Sequence, residues 1–188
     1  MILTDREIKM ALERESLVIN PRPRENSFAS TSVDLTLGQT FSEFIQPQTG
    51  LAISVDPALD GFDHNTVMGQ ITKEQTIDPL NGYLLEPSKL ILGWTEEYLD
   101  LRKDPRLAAR VEGKSSLGRL GLAIHVTAPT IHAGFDGHIR LEIINHGSMP
   151  IRLRVGMKIC QLIFEQTLGT PDKGYSGRFS GQSAALAG

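Results

Sequence analysis

The chain has 188 residues, enough for one domain with a sizeable core, and a slightly acidic balance of 19 Lys+Arg against 22 Asp+Glu. No basic block stands out, which excludes wrapping a long nucleic acid, since that affinity rests on neutralising many phosphates; a small anion needs only a local cluster. The single cysteine, Cys160, cannot form an internal disulfide; the start is charged rather than signal-like, and no apolar run reaches membrane-spanning length, so the expectation is a soluble cytoplasmic protein engaging neither nucleic acid nor membrane.

In chain order, "MILTDREIKMALERE" opens with a capping box. Thr4 can accept from the Glu7 amide while the Glu7 side chain reaches back, and Ile8 and Leu12 fall on one helical face. The pattern predicts a helix to about Glu15, ended by the two prolines of "INPRP". "TSVDLTLG" then alternates Val33, Leu35 and Leu37 inward and closes on a glycine. Apolar segments recur near 51–55, 83–86, 89–94 and 107–111, between Pro, Gly and Asp turn signals. Further strands are expected at 120–126, 138–145, 151–155 and 158–164. Many short strands with one helix predict an all-β barrel or a sandwich of jelly-roll type. The tail, "LGTPDKGYSGRFSGQSAALAG", is rich in Gly, Ser and Ala. It reads either as a disordered end or as a flap ordering over a ligand with Tyr175, Arg178, Phe179 and Gln182.

Two stretches can carry chemistry. "VEGKSSLGRLGLAIHV" crowds Lys114, Ser115, Ser116 and Arg119 ahead of an apolar strand, as an anion site would and as a polar turn would. In "GFDGHIRLEIINHG", a period of two puts Ile139, Leu141 and Ile143 on one face and His138, Arg140, Glu142 and Ile144 on the other. Glu142 is mid-strand among apolar neighbours, where partial burial would raise its pKa into an acid/base range. Its plainer reading is a solvated face paired with Arg140. His125 lies on an inward strand rhythm, as a core histidine with satisfied hydrogen bonds would. Metal chemistry is not expected. Zinc nucleobase deaminases need an H-x-E and P-C-x-x-C arrangement, which one cysteine cannot supply, and His132 and His138 are too irregularly placed to pair as ligands. There is no P-loop or GxGxxG motif.

"GKSSLGRLGL" (113–122), "HVTAPTIHAGFDG" (125–137) and "IRLEIINHG" (139–147) resemble successive motifs of the dCTP deaminases, in the dUTPase superfamily. "MILTDREI", "INPRP", "TSVDLTLG" and "RVGMKICQLIFE" extend the resemblance over nearly the whole chain. It implies a mainly β, dUTPase-like distorted barrel or jelly roll with a short N-terminal helix over residues 1–168, and a flexible tail, 169–188, closing over the nucleotide. It also implies a homotrimer with its sites between subunits.

The implied activity is metal-independent hydrolytic deamination of dCTP to dUTP and ammonia, feeding dUMP and dTTP synthesis. Carried over by position, Ser115, Arg119 and the Ala128 carbonyl would hold the attacking water, with Glu142 as the catalytic acid/base that dUTPases lack. Lys114 and Ser116 would contact phosphates, Phe135 would pack on the deoxyribose, and Tyr175, Arg178 and Gln182 would bind nucleotide from the tail. Magnesium would arrive on the triphosphate, with no zinc, and dTTP is a candidate feedback inhibitor. The chain departs from the family in three places. Lys114 stands where arginine is common, which loses the bidentate fork. The loop ahead of Arg178 is short. His132 stands where an aspartate recognises the sugar 3′-hydroxyl and, in dUTPases, orients water. That last change favours a dUTP-releasing deaminase over a bifunctional enzyme that goes on to dUMP. A third alternative is a nucleotide-binding regulator without catalysis, disfavoured by the retention of Glu142, Arg119 and Ser115.

Overall fold

The computed structural model describes residues 1–45 and 54–173. Tyr175, Arg178, Phe179 and Gln182 lie outside the described residues, as do positions 51–53 of the segment expected near 51–55, whose remaining two residues are not in a strand. Helix α1, Asp5–Glu13, begins at the expected box: the Thr4 amide donates to the Glu7 carboxylate at 3.0 Å, and the Thr4 hydroxyl bonds the same oxygen. Ile8 and Leu12 are buried beneath it. The helix stops before Glu15, which takes a left-handed φ of 54°. Short strands β1, Val18–Asn20, and β2, Phe28–Ala29, lead into β3, Ser32–Phe44. Val33, Leu35 and Leu37 of β3 are all fully buried, as their alternation requires.

Helix α2, His64–Ile71, and β4, Thr72–Thr76, were not anticipated. Asp63 caps α2 by accepting the Thr66 amide at 2.6 Å; Val67, Met68 and Ile71 share a face that is only half-buried, an apolar pattern too short to stand out in the sequence. Then follow β5, Tyr83–Leu85; β6, Leu90–Asp100; β7, Leu107–Gly113; the one-turn helix α3, Ser115–Gly118; and β8, Leu122–Ile124. The described chain closes with β9, Thr130–Ile131; β10, Asp136–Asn145; β11, Ile151–Leu153; and β12, Lys158–Gln166.

Among the described residues, ten strands form one antiparallel sheet in the order β8-β10-β6-β3-β12-β7-β9, with β1 on β6 and both β2 and β4 on β3; β5 and β11 pair separately. The sheet curls so that β8, at one end of the order, approaches β7, next to the other end, with α3 joining them in the chain. The expected mainly β, barrel-like architecture is therefore present. Its core is largely aliphatic, running from Ile8 through Leu35, Ile91, Leu141 and Ile143, with Phe41, Phe135 and Phe164 among them. Cys160 is fully buried and burial pushes its thiol pKa up, so it packs as a small hydrophobe. No helix of the described residues is long and apolar enough to cross a membrane.

Candidate active site

An open cavity of about 580 Å³ lies where the curled sheet brings α3 beside β8. Its size falls within the roughly 300–1,000 Å³ of small-ligand sites. Gly113, Lys114, Ser115, Ser116 and Gly118 form one wall, and β8 with His125 forms another. Lys114 is the N-cap of α3, with extended backbone, and its carbonyl accepts the Leu117 and Gly118 amides at 2.9 and 2.8 Å. The wall is kept open by glycine. Gly121 has a φ of +96°, and a Cβ there would sit 2.3 Å from the Gly147 nitrogen. That close approach lets the His146 amide donate to the Gly121 carbonyl at 2.7 Å, tying the α3 segment to the end of β10. Ser115, Ser116 and Arg119 are exposed; the Arg119 side chain does not line the cavity.

Glu142 stands mid-strand in β10 and is half-buried, on the face opposite Leu141 and Ile143. Its Oε2 accepts the Val126 amide at 2.6 Å and the Thr127 amide at 3.3 Å, while its carbonyl accepts the His125 amide at 2.9 Å. Among the described residues Oε1 makes no hydrogen bond, so one carboxylate oxygen is anchored and the other is available. The pair with Arg140 does not form. Arg140 instead lies 4.3 Å over the Trp94 ring and donates to the Ser42 hydroxyl, and burial pulls its pKa down. Ala128 is exposed, one residue beyond the segment Glu142 holds. Glu142 and the Ser115–Arg119 turn thus stand on neighbouring segments joined through β8, which pairs Ile124 with Ile143. No hydrogen bond or ion pair among the described residues links Ser115 or Arg119 to Glu142.

Other predicted positions divide. Phe135 is 4 % exposed and belongs to the core cluster. His132 is exposed at the start of a turn in which its carbonyl accepts the Phe135 amide at 3.1 Å. The core assignment of His125 is corrected. Its φ of 70° breaks the strand rhythm, its half-buried ring lines the cavity, and its buried Nδ1 has no hydrogen-bond partner among the described residues. Its Nε2 lies 4.0 Å from Glu112.

Gln161 and His146 also line the cavity and were not foreseen. The signal for Gln161 was present as a polar residue inside the apolar run "KICQLIFE". Its direction was not, because a β-bulge between Lys158 and Cys160 buries Ile159 and Cys160 in succession and sets which way the next residue faces. Gln161 accepts from the Ser32 hydroxyl at 2.9 Å, which orients its amide. No group of three or more His, Cys, Asp or Glu side chains among the described residues is placed to hold a metal ion. The cavity therefore offers an ammonium, two hydroxyls, two imidazoles and an amide, a donor-rich set suited to a polyanion. Glu142, whose carbonyl accepts the amide of the lining residue His125, is not itself among the lining residues.

A family model described as dCTP deaminase-like matches residues 2–167. The "dCTP deaminase, dUMP-forming" of Methanosphaera stadtmanae is 38% identical over 174 residues, which cover 93% of this chain and 83% of that one. The "dCTP deaminase" of a Marinomonas species is 38% identical over 179 residues, covering 95% and 90%. Among solved structures, the 2′-deoxycytidine 5′-triphosphate deaminase of Agrobacterium tumefaciens superposes with a TM-score of 0.66 at 23% identity, covering 88% of this chain and 48% of that one. This chain thus spans about half of that structure's length. A dUTPase from phage phi11 of S. aureus gives a TM-score of 0.51 at 12% identity, covering 87% and 99%. The two structural likenesses establish a dUTPase-like fold.

Proposed function

The chain belongs to the dCTP deaminase-like family, and on that premise we propose that it hydrolyses the C4 amino group of dCTP, releasing dUTP and ammonia. The observation that carries the reading is Glu142, held at Oε2 by two backbone amides with Oε1 available for a proton. Glu142 Oε1 takes a proton from a water held by Ser115, Arg119 and the Ala128 carbonyl, and the resulting hydroxide adds to C4 of the cytosine. The carboxyl gives that proton to ring N3, then takes the proton of the new C4 hydroxyl and passes it to the amino group, so that ammonia departs as the C4 carbonyl forms. One water is consumed and Glu142 ends as it began. Such acid/base assistance is worth roughly 10²–10⁴ in rate, and the fixed donors add stabilisation where charge develops.

Lys114 and Ser116 meet the triphosphate, which enters as its magnesium complex and is part of the substrate. Phe135 backs the deoxyribose, and His132 replaces a carboxylate near its 3′-hydroxyl. The tail, 169–188, supplies Tyr175, Arg178 and Gln182 over the bound nucleotide in a cytoplasmic homotrimer. His132 favours dUTP as the product, because an imidazole is neutral or cationic at neutral pH and cannot act as a permanent carboxylate toward a second water. A dUMP-forming enzyme is the second reading, favoured by the Methanosphaera relative's name. Incubating the protein with dCTP and magnesium, then resolving dCTP, dUTP and dUMP while measuring ammonia, tests both. Ammonia with equimolar dUTP is expected; dUMP and pyrophosphate from the outset would select the second reading, and no ammonia would overturn both.

A further inference from the structure

Asp34 has no part in the reaction described above, yet it carries the ion pair of the cavity's lysine. Lys114 Nζ bonds Asp34 Oδ1, and Lys158 Nζ lies 3.3 Å from Oδ2. The Asp34 side chain is 13% exposed and that of Lys114 is 23% exposed. Asp34 sits on β3 opposite Gln161 of β12, so its backbone is fixed by the sheet beside the cavity wall. Lys158 also donates to the Asn26 carbonyl and does not line the cavity. With one cation on each oxygen, the carboxylate is clamped from behind. It cannot swing with Lys114, so it holds Lys114.

We propose that Asp34 is a positioning residue for the triphosphate: through its ion pair it fixes the Lys114 ammonium at the cavity wall, leaving the remaining ammonium protons for phosphate oxygens. This rests on reading the cavity as the triphosphate site. Two effects oppose each other when Asp34 is removed. Lys114 regains the rotamer freedom of a four-carbon stem, which phosphate binding must then remove, and lysine has among the largest such entropies of any side chain. The cavity also becomes more positive, which attracts phosphate. That second effect acts through an open, wet cavity, where salt and water screen it, so the loss of order dominates.

The test is a double-mutant cycle on the full chain, with kcat and KM measured for the magnesium complex of dCTP. Asp34→Asn is expected to raise KM about tenfold, the scale of ordering one long side chain, with kcat changed less than about twofold. In a Lys114→Met background the same substitution should leave KM unchanged, because the residue it acts through is gone. Asp34→Glu keeps the charge and displaces the ammonium by one methylene, so it should raise KM in the same direction without the risk of an unpaired lysine. An equal rise in KM with and without Lys114, a fall in KM, or a wild-type KM for Asp34→Glu would overturn the proposal. If wild-type protein does not deaminate dCTP, the proposed function fails separately. Binding of inorganic tripolyphosphate by calorimetry then reads the same Asp34–Lys114 coupling, and additive effects there would overturn it.

Discussion

Glu142 and Glu97 are two glutamates on adjacent strands of one sheet, and their surroundings give them different work. Glu142 is half-buried, and two amides grip a single oxygen. Glutamine in its place can still accept both amide protons through its carbonyl oxygen but cannot shuttle one. Glu142→Gln is therefore expected to cut turnover by a factor of about 10² or more while dCTP affinity, read by calorimetry, stays near normal. Retention of more than about a tenth of the activity would remove Glu142 from the chemistry. Glu97 is 5% exposed and accepts from the Thr36 amide at 2.8 Å and its hydroxyl at 2.9 Å. Burial pushes its pKa above the ordinary 4.5, outweighing the pull of those bonds in the other direction. The folded protein thus holds this proton more tightly than the unfolded chain, and the corresponding stability is complete below pH 4.5 and lost as pH rises through the raised value. The melting temperature of Glu97→Gln should gain on that of the wild type from pH 4.5 upward and then run parallel. Parallel curves from the start would show that Glu97 folds with its ordinary affinity for the proton.

At the scale of elements, the link from α3 to β8 decides whether the cavity exists. Gly121 joins them with positive φ and with the Gly147 backbone too close for any side chain. Gly121→Ala is expected to cost on the order of 2–4 kcal/mol, because strain at that φ adds to a backbone clash. Gly118, three residues away, has nothing within 4 Å of a Cβ, so Gly118→Ala should change stability by less than about 0.5 kcal/mol. Urea unfolding of the two variants checks both values, and equal losses would mean the link tolerates a side chain. The same link explains how the polar cluster in "GKSSLGR" could be read as either a turn or an anion site. It is a turn, one helical turn long, and the glycines around it hold its serines at a cavity.

The whole described molecule keeps its apolar core between Ile8 and Phe164. Beyond it, the Arg106 guanidinium binds the Thr167 carbonyl at 2.8 Å and the Leu168 carbonyl at 3.2 Å, fixing where the chain leaves the sheet. Deleting everything after Thr170 removes no residue of that core and leaves this clamp intact. The truncated protein should therefore melt at the wild-type temperature, while its KM for dCTP rises about tenfold or more through loss of Arg178 and Gln182, two donors suited to phosphate oxygens. An unchanged KM would show that the tail takes no part in binding.

The N-terminal capping box, the alternation of Val33, Leu35 and Leu37, and the two faces of β10 were legible in the sequence. Each depends on neighbours within a few positions, where the periods of helix and strand act directly. Family motifs singled out Lys114, Ser115 and Ser116, which line the cavity, and Glu142, which stands on a neighbouring strand outside its lining. Only the tertiary structure decided the rest. It placed Gln161 at the cavity through a bulge, turned His125 out of the core by a left-handed φ, and paired Lys114 with an aspartate 80 residues away. It also formed α2, whose short apolar face of Val67, Met68 and Ile71 is only half-buried. Those outcomes depend on strand register and on contacts between distant segments, which exist only once the sheet has curled.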